Sequence, residues 1–266
     1  EKPHSTTTEI YKAIREHRLT SPRTIANLIG LTPRPIPESV LASPFLGRER
    51  ELAEITERLK EPACRLLTLI GPSGIGKTRL ALQAAKDNLS FFSNDIWYIP
   101  LAAVNSPEGI ITSIVESMGI PLEGQRDIHS QLFNYLKNRK ALLILDNFEH
   151  LLDGVQIVDE IIRRSPRIKF MITSCERLNL QLEWLYFVQG LEYPSLESES
   201  IEEYSAVQLF IHSARRVNPC FSLSENDRSH IIRICQFLDG MPLGIELAAS
   251  WTHLLSLEEI AKEIQQ

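Results

Sequence analysis

The chain has 266 residues, 43% of them apolar and 23% charged, with a formal net charge of −6. Such a length and composition belong to a globular protein of one or two domains with a full hydrophobic core. The negative balance argues against a surface that coats nucleic acid, and no apolar run approaches the roughly 20 residues of a membrane span. The start, Glu1-Lys2-Pro3-His4, lacks the basic and apolar segments of a secretion signal, and the missing Met leaves a processed or trimmed start open. Cys64, Cys175, Cys220 and Cys235 stand too far apart for a zinc site or redox dithiol, so a reduced, cytoplasmic protein is expected.

In chain order, residues 8–30 read as helical, with Ile10, Tyr11 and Ile14 on one face and Ile25, Leu28 and Ile29 after a break at Ser21-Pro22. Gly30 is a stop, and Pro33, Pro35 and Pro37 favour an extended connector. Residues 1–40 are therefore a helical segment plus a proline-rich linker. Their six Lys/Arg face four Asp/Glu, which suits a docking helix pair better than direct nucleic-acid binding. From residue 41 to 196, β-rich runs at 65–70, 95–101, 141–145, 169–173 and 184–188 alternate with helical patterns. Leu52, Ile55 and Leu59 share one helical face, as do Leu80 and Ala84. Ser106-Pro107 opens a helix carrying Ile110, Ile114 and Val115, and Leu151, Val155, Val158 and Ile162 mark another. Strand–helix alternation predicts an α/β fold, a parallel sheet flanked by helices. Across 197–266 strands vanish, and Ala206, Phe210 and Ala214, then Ile231, Cys235 and Leu238, define helix faces. Ser224-x-x-Asp227 and Ser256-x-x-Glu259 read as capping boxes of this small all-helical domain. Its last helix meets no stop signal before Gln266, so the chain is expected to be cut from a longer protein. Trp97, Trp184 and Trp251 read as core or packing residues.

The chemistry begins at Gly71-Pro72-Ser73-Gly74-Ile75-Gly76-Lys77-Thr78, a G-x-x-x-x-G-K-[ST] match between an apolar strand and a helix. Phosphate oxygens need several backbone N–H groups close at once, and glycines at 71, 74 and 76 permit the bend. A helix starting near Lys77 aims its positive end at the anion. Lys77 supplies a mobile charge for the β- and γ-phosphates, and the Thr78 hydroxyl is a magnesium ligand. Gly71, Ser73, Gly74, Ile75, Gly76, Lys77, Thr78 and Arg79 form the expected contact set for ATP or ADP. Ala141-Leu142-Leu143-Ile144-Leu145-Asp146 is an apolar strand ending in an acid, which places Asp146 at the strand edge as the second magnesium residue. Glu149 either polarises the attacking water or caps a helix starting near Phe148. His150 reads as a hydrogen-bonding residue and not a base.

With these motifs in order, residues 44–266 resemble the STAND class of signal-transduction P-loop ATPases, in its NB-ARC-like branch of bacterial regulators. The resemblance rests on Phe45-Leu46-Gly47-Arg48, the phosphate loop, Leu143-Ile144-Leu145-Asp146-Asn147-Phe148-Glu149-His150, Ile172-Thr173-Ser174 and Gly240-Met241-Pro242-Leu243. It implies that Phe45, Leu46 and Arg48 embrace adenine, and that Pro242 of an ARC1-like helical domain closes the nucleotide from the other side. Without the family, Arg48 would read as a surface charge. The family's sensor strand ends in an arginine that feels the γ-phosphate, but Cys175 stands there in Thr173-Ser174-Cys175-Glu176-Arg177. A thiol cannot supply a charged fork of donors, so either Arg177 reaches back as a catalytic residue or hydrolysis is slow. Family members continue into a winged-helix unit that locks ADP; the chain stops before it, which implies weaker ADP retention.

The leading expectation is a nucleotide switch: ADP holds two units together, and ATP releases them for self-association, with sensor and output domains elsewhere in the longer protein. An actively cycling AAA+-type motor, with an arginine finger among Arg163, Arg164 and Arg167, and an ADP-stabilised scaffold are the alternatives.

Overall fold

The structure, a computed structural model, describes residues 45–93, 95–122 and 127–265. The helical segment at 8–30 and the linker after it lie outside them. The described chain runs α1 (Glu49–Lys60), β1 (Leu66–Ile70), α2 (Lys77–Asp87), β2 (Ile96–Pro100), α3 (Glu108–Met118), α4 (Ile128–Leu136) and β3 (Ala141–Asp146). A 3-10 turn at Glu149–Gly154 leads into α5 (Val155–Arg164), β4 (Ile168–Ser174) and β5 (Glu183–Phe187). Then come α6 (Ser205–Val217), α7 (Arg228–Phe237), α8 (Pro242–Ser250) and α9 (Leu257–Gln265), with short 3-10 turns between them.

The five strands form one sheet in the order β2-β3-β4-β1-β5, every neighbouring pair parallel. Every residue of β1, β3 and β4 is buried, as central strands of a sheet covered on both faces must be. Their side chains alternate between two cores. Leu66, Leu143, Leu145, Phe170 and Ile172 pack with α3, α4 and α5, whereas Leu67, Leu69, Leu142, Ile144 and Met171 pack with α1 and α2. Thr68 is a polar residue in this apolar strand, and its hydroxyl donates to Glu183 Oε1 at 2.7 Å. The same carboxylate accepts the backbone N–H groups of Leu178 and Asn179, which fixes the segment between β4 and β5. A third core gathers Leu191 with Ala206, Phe210, Ile231, Cys235, Ile245 and Ile260 inside the helices that follow β5.

Both expected capping boxes form: Asp227 accepts from the backbone and hydroxyl of Ser224, and Glu259 from those of Ser256. Two expectations need correction. The helix read through Leu151 is a 3-10 turn over Glu149–Gly154 that breaks at Leu151 (φ −120°, ψ 24°) before α5 begins. Its apolar spacing is right, but Leu151 leaves the helical region and Gly154 (φ −89°, ψ 3°) stands at the start of α5. Trp184 and Trp251 are not core residues: they are 38% and 41% exposed, Trp184 on edge strand β5, while Trp97 is buried. Among the described residues no helix is long and apolar enough to cross a membrane.

Candidate functional site

In a parallel sheet every strand delivers its end to the same edge, so the residues after β1, β3, β4 and β5 meet there without further design. The loop after β1 turns with positive φ at Gly74 (82°) and Gly76 (96°), a region that Cβ sterics make costly for other residues. Gly76 then leads directly into α2, whose first residues are Lys77 and Thr78. Lys77 Nζ lies along the loop and donates to the carbonyls of Gly71 (2.8 Å) and Pro72 (3.2 Å). It also lies 3.5 Å from Cys175 Sγ, just past β4. The thiol is 3.7 Å from Ser73 Oγ and donates to Glu149 Oε1 at 3.7 Å. Glu149 Oε2 is buried with no hydrogen-bond partner. The carboxylate thus faces the thiol and the loop instead of capping its own turn.

Asp146 ends β3, one strand away from β1, with β4 between them. Thr173 of β4 bridges this gap: its hydroxyl donates to Asp146 Oδ1 at 2.6 Å and accepts the Asn147 N–H at 3.0 Å. Thr78 donates to the same Oδ1 at 2.7 Å, and Tyr98 of β2 donates to Oδ2 at 2.8 Å. Burial, and after it the Asp146 charge and hydrogen bond, hold the Tyr98 phenol well above its ordinary range, so it stays a donor. An oxygen-only set of hydroxyl and carboxylate beside a phosphate loop fits magnesium.

On the far side of the loop lies Arg48, in the left-handed region at φ 72°. Its guanidinium is buried and donates to the carbonyls of Ile75 (2.8 Å), inside the phosphate loop, and Gln189 (3.0 Å), after β5. Burial pulls the guanidinium below its ordinary value, with Glu51 acting in the opposite sense. A cavity of about 40 Å³ opens beside it, lined by Phe45, Leu46, Arg48, Gly76, Arg79, Leu191, Leu209 and Pro242. The helical segment meets the loop directly. Leu243 N–H, in the first turn of α8, donates to the Gly74 carbonyl at 3.2 Å, and Arg79 lies 3.9 Å from Glu246. Behind them Gly240 and Gly190 let two backbones touch, with Leu191 N–H donating to the Gly240 carbonyl at 2.8 Å.

The structure therefore brings together Gly71, Ser73, Lys77, Thr78, Asp146 and Glu149 around the loop, and Phe45, Leu46, Arg48, Gly76, Arg79 and Pro242 around the cavity. Arg177 lies outside both groups, exposed, two residues beyond Cys175. Arg163 and Arg164, at the end of α5 leading into β4 and so at the opposite sheet edge, pair with Asp159 and Glu160. His150 directs Nε2 at the carbonyls of Leu101 and Val104, as a hydrogen-bonding residue would. Sequence reading missed Leu191, Leu209 and Tyr98, and named Thr173 without giving it a role. Thr173 was visible as a polar residue ending an apolar strand, but only strand order reveals that it reaches Asp146.

Comparison with known proteins agrees with the fold. Residues 61–180 match the family model described as AAA domain. An uncharacterized protein of Mycobacterium tuberculosis is 36% identical over 217 residues, covering 81% of this chain and 52% of that protein. A putative HTH-type transcriptional regulator of the same organism is 33% identical over 198 residues, covering 74% of this chain and 21% of the regulator. The chain thus spans about half the length of the first relative and a fifth of the second. Among solved structures, Cdc6p from Pyrobaculum aerophilum shares the fold at 16% identity, with 85% of this chain and 66% of that one covered and a TM-score of 0.53. Phosphate loop and parallel sheet flanked by helices make this a P-loop NTPase fold, and within it residues 61–180 match the AAA domain model.

Proposed function

We propose that the chain is the nucleotide-operated core of a signal-transduction ATPase of the STAND class, NB-ARC-like branch, binding ATP or ADP with magnesium and hydrolysing ATP slowly. The observation that carries this reading is the cavity shared by Phe45, Leu46 and Arg48, by Gly76 and Arg79, and by Pro242 of α8, directly beside the phosphate loop. A ligand shifts an equilibrium between two arrangements only through differential affinity, and a site with walls from two units supplies it. At about 40 Å³ the cavity is far below the roughly 300 Å³ at which small-molecule sites begin. Seating an adenosine group therefore widens the joint between α8 and the loop. ADP and ATP then favour different spacings, and the ATP arrangement frees surfaces for self-association and for sensor and output domains of a longer protein.

The chemistry follows from the side chains. Lys77 leaves the Gly71 and Pro72 carbonyls for the β- and γ-phosphates, and the loop's backbone N–H groups hold the phosphate oxygens. Thr78 and Asp146 would hold magnesium, which when bound neutralises charge on those oxygens. Glu149, with one oxygen unpartnered, orients the attacking water and takes its proton. Cys175, beside Lys77, offers no positive charge where charge develops; an arginine so placed is worth about 10³–10⁵ in rate in related phosphoryl transfers, so turnover is slow. Arg177, turned to solvent, takes no part.

The test is identification of the nucleotide that copurifies with the chain, followed by calorimetric titration of ADP and an ATP analogue with magnesium. Micromolar or tighter binding that Lys77→Ala weakens at least tenfold is expected. No binding at millimolar nucleotide by the folded chain would end this reading.

A further inference from the structure

Asp146 is ringed by hydroxyl groups drawn from three different elements. Thr78 of α2 and Thr173 of β4 both donate to Oδ1, and Tyr98 of β2 donates to Oδ2. A carboxylate has about four acceptor positions, so three hydroxyls leave a single one, on Oδ2. The Thr78 hydroxyl has one proton, given to Asp146, and its lone pairs stay available to a cation.

Tyr98 is the donor without an obvious packing reason. In the β2–β3 register it stands opposite Ile144, two residues before Asp146, so both side chains rise from the same sheet face. That diagonal distance, about 7–8 Å between neighbouring strands, is one a tyrosine ring spans and a smaller side chain does not. The ring itself packs against the core shared with α1 and α2, a task phenylalanine performs equally well. Only the phenol oxygen distinguishes the two, and its half-buried position gives it Asp146 as its partner.

We propose that Tyr98 is a positioning residue for the magnesium carboxylate, its phenol fixing the Asp146 side chain so that one acceptor position on Oδ2 remains for the hydrated cation. This rests on the nucleotide reading above. Tyr98 touches neither nucleotide nor cation; it acts through Asp146 alone.

The experiment is binding of a fluorescent ADP (mant-ADP) at graded magnesium and in EDTA, for wild type, Tyr98→Phe, Asp146→Asn and the double variant, with thermal melting as the check on folding. Tyr98→Phe is expected to raise half-saturating magnesium about tenfold, in line with other groups that orient a metal ligand from behind. Affinity in EDTA should stay at the wild-type value, and in the Asp146→Asn background the same substitution should change nothing further. Identical magnesium curves for wild type and Tyr98→Phe overturn the proposal. So does an equal loss of affinity with and without magnesium, which marks a merely structural role. Wild type that binds no mant-ADP under any condition overturns the nucleotide reading itself.

Discussion

Arg48 shows how much one side chain carries here. A buried guanidinium is tolerated because the carbonyls of Ile75 and Gln189 accept from it, tying the phosphate loop to the chain leaving β5. Arg48→Ala leaves two carbonyls without that donor, and a loss of about 1–3 kcal/mol is expected in thermal or denaturant unfolding. Nothing local in Leu46-Gly47-Arg48-Glu49 announces burial, which is why composition alone made Arg48 a surface charge. Its partners lie 27 and 141 residues away. Cys175 was legible only through the resemblance, which puts it where the family's sensor strand carries an arginine. Cys175→Arg should speed single-turnover ATP hydrolysis, and an unchanged rate would remove the explanation offered for slow turnover. Thiol chemistry checks the geometry separately. Burial pushes the Cys64 thiol up to about 11 and Cys235 up to about 12, so both should resist iodoacetamide at pH 8 in the folded chain. Cys175 and Cys220 should react, and bound nucleotide should shield Cys175 only. Equal labelling of all four sites would contradict the core packing.

At the scale of elements, the five strands were readable to within one or two residues because buried parallel strands are short, continuous apolar runs. What the pattern does not encode is how closely elements approach. A Cβ on Gly240 would fall 2.1 Å from the Leu191 carbonyl oxygen, and the residue sits at φ 64°. Gly240→Ala is therefore strained twice, by contact and by backbone. It should loosen α8 from the segment after β5, seen as faster limited proteolysis near residues 189–193 and a lower melting temperature. Unaltered cleavage would show that the two backbones separate at little cost. Edge strand β5 misled in another way. Trp184 has the composition of a core residue, yet an edge position leaves it partly bare, and strand order is a property of the whole sheet.

For the whole molecule, the order β2-β3-β4-β1-β5 puts the phosphate loop near the middle of one edge, with Asp146 and Cys175 to one side and Arg48 and the helical segment to the other. Fold class followed from alternation alone; the cavity did not, because its walls come from residues 45–48, 76–79, 191, 209 and 242. Polar contacts and close packing both tie α8 to the loop and to α2. The partly exposed Arg79–Glu246 pair, at 3.9 Å, is worth no more than about 1 kcal/mol, so Glu246→Ala should scarcely move the melting temperature. The Leu243–Gly74 hydrogen bond is a second link, with the Leu243 side chain lying over Gly74, and it gives α8, together with the helical core it packs in, the mechanics of a lever. Nine residues at about 1.5 Å each make an arm of roughly 13 Å with its fulcrum on the phosphate loop. A tilt of about 10° at that fulcrum carries Ser250 about 2 Å, enough to move one packed surface out of register with another.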